Sequence, residues 1–200
     1  VGRTTPQDGR GAPGVPAIAT PRLDLVSLSP GAIDALLDGA LDRAGALLGA
    51  AVSEEWVAAS RRPLRYRQQQ LRGDPALQPW LLRVMVLRRP APAVIGHIGF
   101  HDAPDARGAL EVGYAVLPAY RRRGYAEEAV RALFDWARRE HGVRRFIASV
   151  SPGNAPSRGL VGKLGFRQTG SQMDEEDGEE LVFELDLDSG APPAARDRRP

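Results

Sequence analysis

In "YRRRGYAEEAVRALFDWA", residues 120 to 137, the apolar residues Ala126, Val130, Leu133, Phe134 and Ala137 recur at i, i+4, i+7, i+8 and i+11. Glu127, Arg131, Asp135 and Arg138 face elsewhere, so one stripe of a helix is apolar and must pack on something. The run just before it, "ALEVGYAVLP", reads as a strand. The chain is therefore committed to a helix lying on a sheet. Its first turn starts at Gly124, which leaves the backbone amides of residues 122 to 126 as the orphan donors of a helix N-terminus. They point at whatever lies beyond the preceding strand.

The remaining segments fit an α+β chain. "PRLDLVSL" alternates as a strand, "PGAIDALLDGALDRAGALL" reads as one or two helices, and "PLRYRQQQLR" as another helix ended by "GDP". "LLRVMVLR", "AVIGHIGFH" and "ALEVGYAVLP" follow as three strands. After the long helix come a strand "RRFIASV", a short helix "APSRGLVGKLG" and the strands "FRQTGSQ" and "ELVFELDL". Residues 1–20 and 188–200 are rich in Gly, Pro and Arg without apolar periodicity, the composition of tails that cannot repay their ordering entropy. One domain is expected over 21–187.

Composition narrows the chemistry. The chain has no cysteine, which removes disulfides, thiolate metal sites and a covalent thiol intermediate. His97, His101 and His141 have no metal-ligand spacing with carboxylates, so no metal is expected. No apolar run approaches a membrane span and the N-terminus lacks the apolar core of a signal peptide, which reads as a cytoplasmic protein with no membrane partner. Net charge is only +2, and Lys163 is the single lysine among 27 basic residues, so arginine clusters reflect a general bias of the chain. The basic clusters lack interleaved aromatics beyond Tyr66, Tyr120 and Tyr125, which argues against nucleic acid.

The pattern RxxGxA at Arg121, Gly124 and Ala126 is short enough to arise by chance in so Arg-, Gly- and Ala-rich a chain. Its place between a strand and an amphipathic helix is what gives it meaning, because free amides, a residue without Cβ and the helix dipole converge there on one anion. In that setting the chain resembles the GNAT superfamily of acetyl-CoA-dependent N-acetyltransferases, and within it the ribosomal-protein N-terminal acetyltransferases. The resemblance rests on "TPRLDLVSLSP", "LEVGYAVLPAYRRRGYAEEAV", "NAPSRGLVGKLGF" with Asn154, Ser157, Lys163, Gly165 and Phe166, and the final strand pair, in family order over about residues 20 to 187.

The resemblance implies a mixed, largely antiparallel sheet of about seven strands with four or five helices, its fourth and fifth strands splayed to admit a pantetheine arm. It implies acetyl-CoA held by strand backbone near Val116 and Leu117 and by the turn Arg121, Arg122, Arg123, Gly124, Tyr125 and Ala126, with Asn154 and Ser157 also at the cofactor. It implies transfer of acetyl to a primary amine, on a small molecule or a protein N-terminus, directly in a ternary complex, and allows a homodimer.

Transfer to an amine requires a base for the ammonium proton and relief for the departing thiolate. By the resemblance Glu111 takes the proton, against an ordinary strand-face glutamate paired with an arginine. Ser157 steadies the thiolate, against a serine capping its own helix. Where many relatives carry a tyrosine acid this chain has Val161; Tyr114 and Tyr125 are the other hydroxyls within the motif. His101 is weighed as facing the acceptor and as a loop-edge histidine. The arginines of 61–72 and the acids of 174–180 read as solvated surface or as an acceptor field. Two other readings stay open: an acyl-CoA-binding sensor without turnover, and a basic RNA- or ribosome-binding module sharing the fold.

Overall fold

The computed structural model describes residues 14–174 and 178–188 and divides into two compact units, one through Val143 and one from Arg144. The first unit carries strands β1 (Ile18–Ala19), β2 (Leu23–Ser27), β3 (Arg83–Leu87), β4 (Ala93–Phe100) and β5 (Ala109–Val116), each antiparallel to the one before. Its helices are α1 (Pro30–Leu37), α2 (Leu41–Leu48), α3 (Glu54–Gly73) and α4 (Tyr125–His141).

Strand alternation sorts the layers. His97 in β4 meets Trp56 of α3 edge-on, while Phe100, three residues on and so on the other face, stacks on Phe134 of α4. Helices α1 to α3 therefore cover one face of this sheet and α4 the other. Ile33, Leu36, Leu48, Trp56 and Leu64 are at most 1% exposed and bury Val26, Val84 and Val86. On the α4 side Ala129, Val130, Leu133, Phe134 and Ala137 are the buried stripe. Ala129 occupies the place that the spacing assigned to Ala126, which stays half-buried at the helix entry.

Three features depart from the sequence reading. Helix α3 begins at Glu54, well before "PLRYRQQQLR": Ser53 caps it by accepting the Trp56 amide, Glu54 and Glu55 sit in its first turn, and Pro63 lies inside it. The sequence reading opens this helix at Pro63, but burial of Trp56, Val57, Ser60, Leu64, Arg67 and Leu71 along one stripe carries the helix through it. Ile18 and Ala19, grouped with the N-terminal tail on composition, pair with Leu25 and Asp24. This added strand makes "ALEVGYAVLP" the fifth rather than the fourth.

The second unit is a three-stranded antiparallel sheet with β8 (Gly178–Asp186) between β6 (Arg145–Val150) and β7 (Arg167–Asp174), plus α5 (Ala155–Lys163). The acidic run is shared out here: Asp174 closes β7, while Glu179 and Glu180 already pair within β8. Most of the expected tails, residues 1–13 and 189–200, and acids 175–177 lie outside the described residues. Among the described residues no helix is long and apolar enough to cross a membrane.

Candidate active site

The turn from β5 into α4 is built to leave amides bare. Buried Leu117 donates its N–H to the Ile95 carbonyl at 2.9 Å and opens a 3-10 turn, Pro118–Tyr120. Arg121 Nε reaches back to the Val116 carbonyl at 2.9 Å. Arg122 then takes a φ of 59°, the one positive φ at a non-glycine among the described residues, and Gly124 takes 80° as the N-cap of α4. A left-handed arginine costs about 1–3 kcal/mol, which its surroundings must offset. Among the described residues no backbone carbonyl accepts the N–H groups of Arg122, Arg123, Gly124, Tyr125 or Ala126, and Gly124 supplies no side-chain cap. Left-handed residues in such a turn help curl free amides around a concavity suited to an anion, and the helix dipole adds to it.

The turn is braced from the segment ahead of β2. Glu128, one turn into α4, accepts the Thr20 hydroxyl at 2.6 Å, the Arg22 amide at 2.8 Å and Arg22 Nε at 2.6 Å. Arg22 also donates from Nη1 to the Arg123 carbonyl at 2.9 Å, and its guanidinium lies 4.4 Å from the centre of the Tyr125 ring. Burial works against ionisation of Glu128, but the bonds from Thr20 and from the Arg22 amide and guanidinium, with Arg22's charge, outweigh it and hold the carboxyl below its usual range. On the far side Arg88 ties the same segment through the carbonyls of Thr20 and Leu23 and through Asp24 at 2.7 Å.

Glu111 sits on the sheet face toward α3, because the register pairs His97 with Ala115 and Gly99 with Gly113, placing Glu111, Gly113 and Ala115 on His97's face. Its carboxylate lies 3.7 Å from His101 Nδ1, and both side chains are partly exposed. Deeper on this face Arg67 is 7% exposed and desolvation pulls its pKa down, with Tyr66, Asp102 and Glu111 opposing that. His97, in contact with the Ser60 hydroxyl at 3.1 Å, is pushed down to about 4 by burial and then by Arg67's charge, so it is neutral across the physiological range.

In the second unit Asn154 is the N-cap of α5, its Oδ1 accepting the Ser157 amide at 3.2 Å. The capping role considered for Ser157 belongs to Asn154. Ser157 is half-buried in the first turn, and Val161 is the buried anchor of the helix, so the position at which the resemblance led to expecting a tyrosine acid is packing here. Tyr114 and Tyr125 are half-buried, Tyr125 beneath Arg22.

A family model described as an acetyltransferase (GNAT) domain matches residues 42–167, more than half of the chain. The chain belongs to the GNAT acetyltransferase family. A curated relative, the uncharacterized N-acetyltransferase YjdG of Bacillus subtilis, is 31% identical over 94 residues, 47% of this chain and 54% of its own length. The chain spans about half the length of the curated relatives it matches. The fold is shared with a ribosomal-protein-S5-alanine acetyltransferase from Vibrio fischeri, at 15% identity and TM-score 0.60 over 88% of this chain and 99% of that one. It is shared also with RimL, a ribosomal L7/L12 alpha-N-protein acetyltransferase solved with coenzyme A, at 18% identity and TM-score 0.62 over 86% and 98%. The GNAT fold expected from the resemblance is thus present.

Sequence reasoning passed over Arg22, Thr20 and Glu128, and over the Ser60, Arg67 and His97 group. The helical phase of Ser60 and Arg67 on α3, both on its apolar stripe, was the available signal, hidden once the helix was started too late. Nothing local marks Arg22 and Glu128 as partners.

Proposed function

We propose that the chain is an acetyl-CoA-dependent N-acetyltransferase that moves acetyl to a primary amine by direct attack in a ternary complex. The observation that carries this reading is the bare amide turn of Arg122–Ala126, uncapped and braced, at the start of a seventeen-residue helix. Such a turn fits a pyrophosphate, with Arg121 and the backbone of Val116 and Leu117 leading up to it. Membership of the GNAT family supports acetyl-CoA as the co-substrate.

Glu111 is assigned the proton of the acceptor ammonium: it is partly exposed at 30%, ionisable, and set early in the strand that leads to the turn. Ser157, matching the family serine, is assigned a hydrogen bond to the leaving thiolate, and Asn154 the task of holding that helix start. A thiol-release assay over peptides with free N-termini, small amines and amino acids tests the reading. Turnover with at least one class is expected, and Glu111→Gln should cut it roughly 100-fold at pH 7 with the acetyl-CoA KM nearly unchanged. Acetyl-CoA binding without turnover on any acceptor would make the chain a sensor, and wild-type turnover in Glu111→Gln would return that residue to the strand face.

A further inference from the structure

We propose that His101 is a proton-relay residue acting through Glu111, so that the group deprotonating the acceptor is a carboxylate–imidazole pair rather than Glu111 alone. The inference rests on the assignment of Glu111 as base. Three observations carry it. His101 Nδ1 stands 3.7 Å from Glu111 Oε1, a separation that a small ring turn or one water closes. The ring also rests with its Nε2 edge against β5: a Cβ placed on Gly113 would stand 2.8 Å from His101 Nε2, so Gly113 gives the imidazole its seat. Finally, the backbone under the ring is pinned. Arg67 Nη1 and Gln70 Nε2 both donate to the His101 carbonyl at 2.9 Å, while the His101 amide donates to the Glu111 carbonyl at 2.9 Å.

The ionisable groups that act on Arg67 beside the pair are Tyr66 from α3, Asp102 in the turn after β4 and Glu111 itself from β5, and Arg67 in turn acts on buried His97 of β4, on the same face. Arg67 donates from Nη1 to Gln70 and to the His101 carbonyl, so it orients the histidine, and its charge also acts on Glu111. The imidazole is about half exposed, at 48%, and offers the proton a way to solvent.

In the step so described the acceptor ammonium gives one proton to Glu111. The neutral amine attacks the thioester carbonyl, forming the C–N bond, and the C–S bond breaks with its electron pair on sulfur. The amide nitrogen sheds its second proton, which the thiolate takes. The first proton passes from Glu111 to His101 and on to solvent, so ammonium and acetyl thioester become amide, thiol and one released proton.

The test compares wild type, His101→Ala, His101→Gln, Gly113→Ala and Glu111→Gln for kcat, both KM values and pH profile, with and without added imidazole. The relay predicts kcat down roughly tenfold or more in both His101 variants, an unchanged acetyl-CoA KM, an altered pH limb, and recovery of His101→Ala by imidazole. Gly113→Ala, which displaces the ring without removing it, should fall in the same direction. Wild-type kcat in His101→Gln, or a loss that imidazole does not restore in a variant melting like wild type, overturns the relay. An inactive Glu111→Gln beside a normal His101→Ala rejects the relay alone. A fully active Glu111→Gln rejects the base assignment and the relay with it.

Discussion

Helices α4 and α5 start in opposite ways. Asn154 closes the first turn of α5 with its own side chain, whereas α4 starts at a left-handed glycine that offers no side chain and leaves five amides without a backbone acceptor among the described residues. A missing cap costs a helix about 1 kcal/mol. In α4, the longer of the two and richer in buried contacts, that cost is absorbed by the apolar stripe and by the brace from Thr20 and Arg22. The contrast teaches where to look for an anion: at the helix start that the chain supports from outside while leaving it open.

The most damaging way to break the contrast is Gly124→Val. A β-branched residue at a φ of 80° is strained, and its Cβ would press on Arg22 NH2 at 3.4 Å. Thermal protection by acetyl-CoA should fall by the equivalent of about 100-fold in affinity, since protection follows the logarithm of saturation. Protection equal to wild type would show that the open turn is not a phosphate site. Next in size, Arg22→Ala strips the brace from Arg123 and Glu128. Its acetyl-CoA KM should rise roughly tenfold with the acceptor KM unchanged, the scale of a lost charge-assisted bond; a parallel rise in both would point to general loosening instead.

Asn154→Ala sharpens the comparison from the other side. Losing the α5 cap should lower stability by about 1 kcal/mol in a urea titration and weaken acetyl-CoA protection far less than Gly124→Val does. A cofactor defect as large as that of Gly124→Val would mean that the capped end also binds. The smallest effects near neutral pH come from two titrating groups. The depressed His97 makes stability decline as pH falls from about 6.5 to about 4, because the unfolded chain takes a proton that the folded ring refuses. Glu128, held below the usual glutamate range, loses its contribution only at pH values under that range. Urea midpoints against pH should lose the upper slope in His97→Gln and the lower slope in Glu128→Gln.

What could be read from the sequence was periodic or local. The α4 stripe, the glycine at its head, the strand before it and the placement of Glu111 and Ser157 on their elements all follow from spacing. Register contributed what spacing could not: that Gly113 seats His101, which sequence alone left between an acceptor-facing residue and a loop edge. Pro63 hid the first half of α3 and, with it, the buried stripe on which Ser60 and Arg67 lie, because proline's local preference was outweighed by an apolar face that begins at Trp56. The Thr20–Arg22 segment was invisible for another reason. A charged pair whose members lie on separate elements leaves no periodic trace.

That pair also bears on how the molecule assembles. Arg22 and Glu128 are 106 residues apart, and Thr20 and Glu128 108 apart, so each contact closes most of the first unit into a single loop. Long-range closures of this kind form slowly and reward the chain only after the intervening sheet has paired. During synthesis β2 leaves the ribosome early and its brace must wait for α4. The open turn is therefore expected to gain its order in the final stage of folding, and a refolding chain should recover its far-ultraviolet helix signal before it recovers affinity for acetyl-CoA.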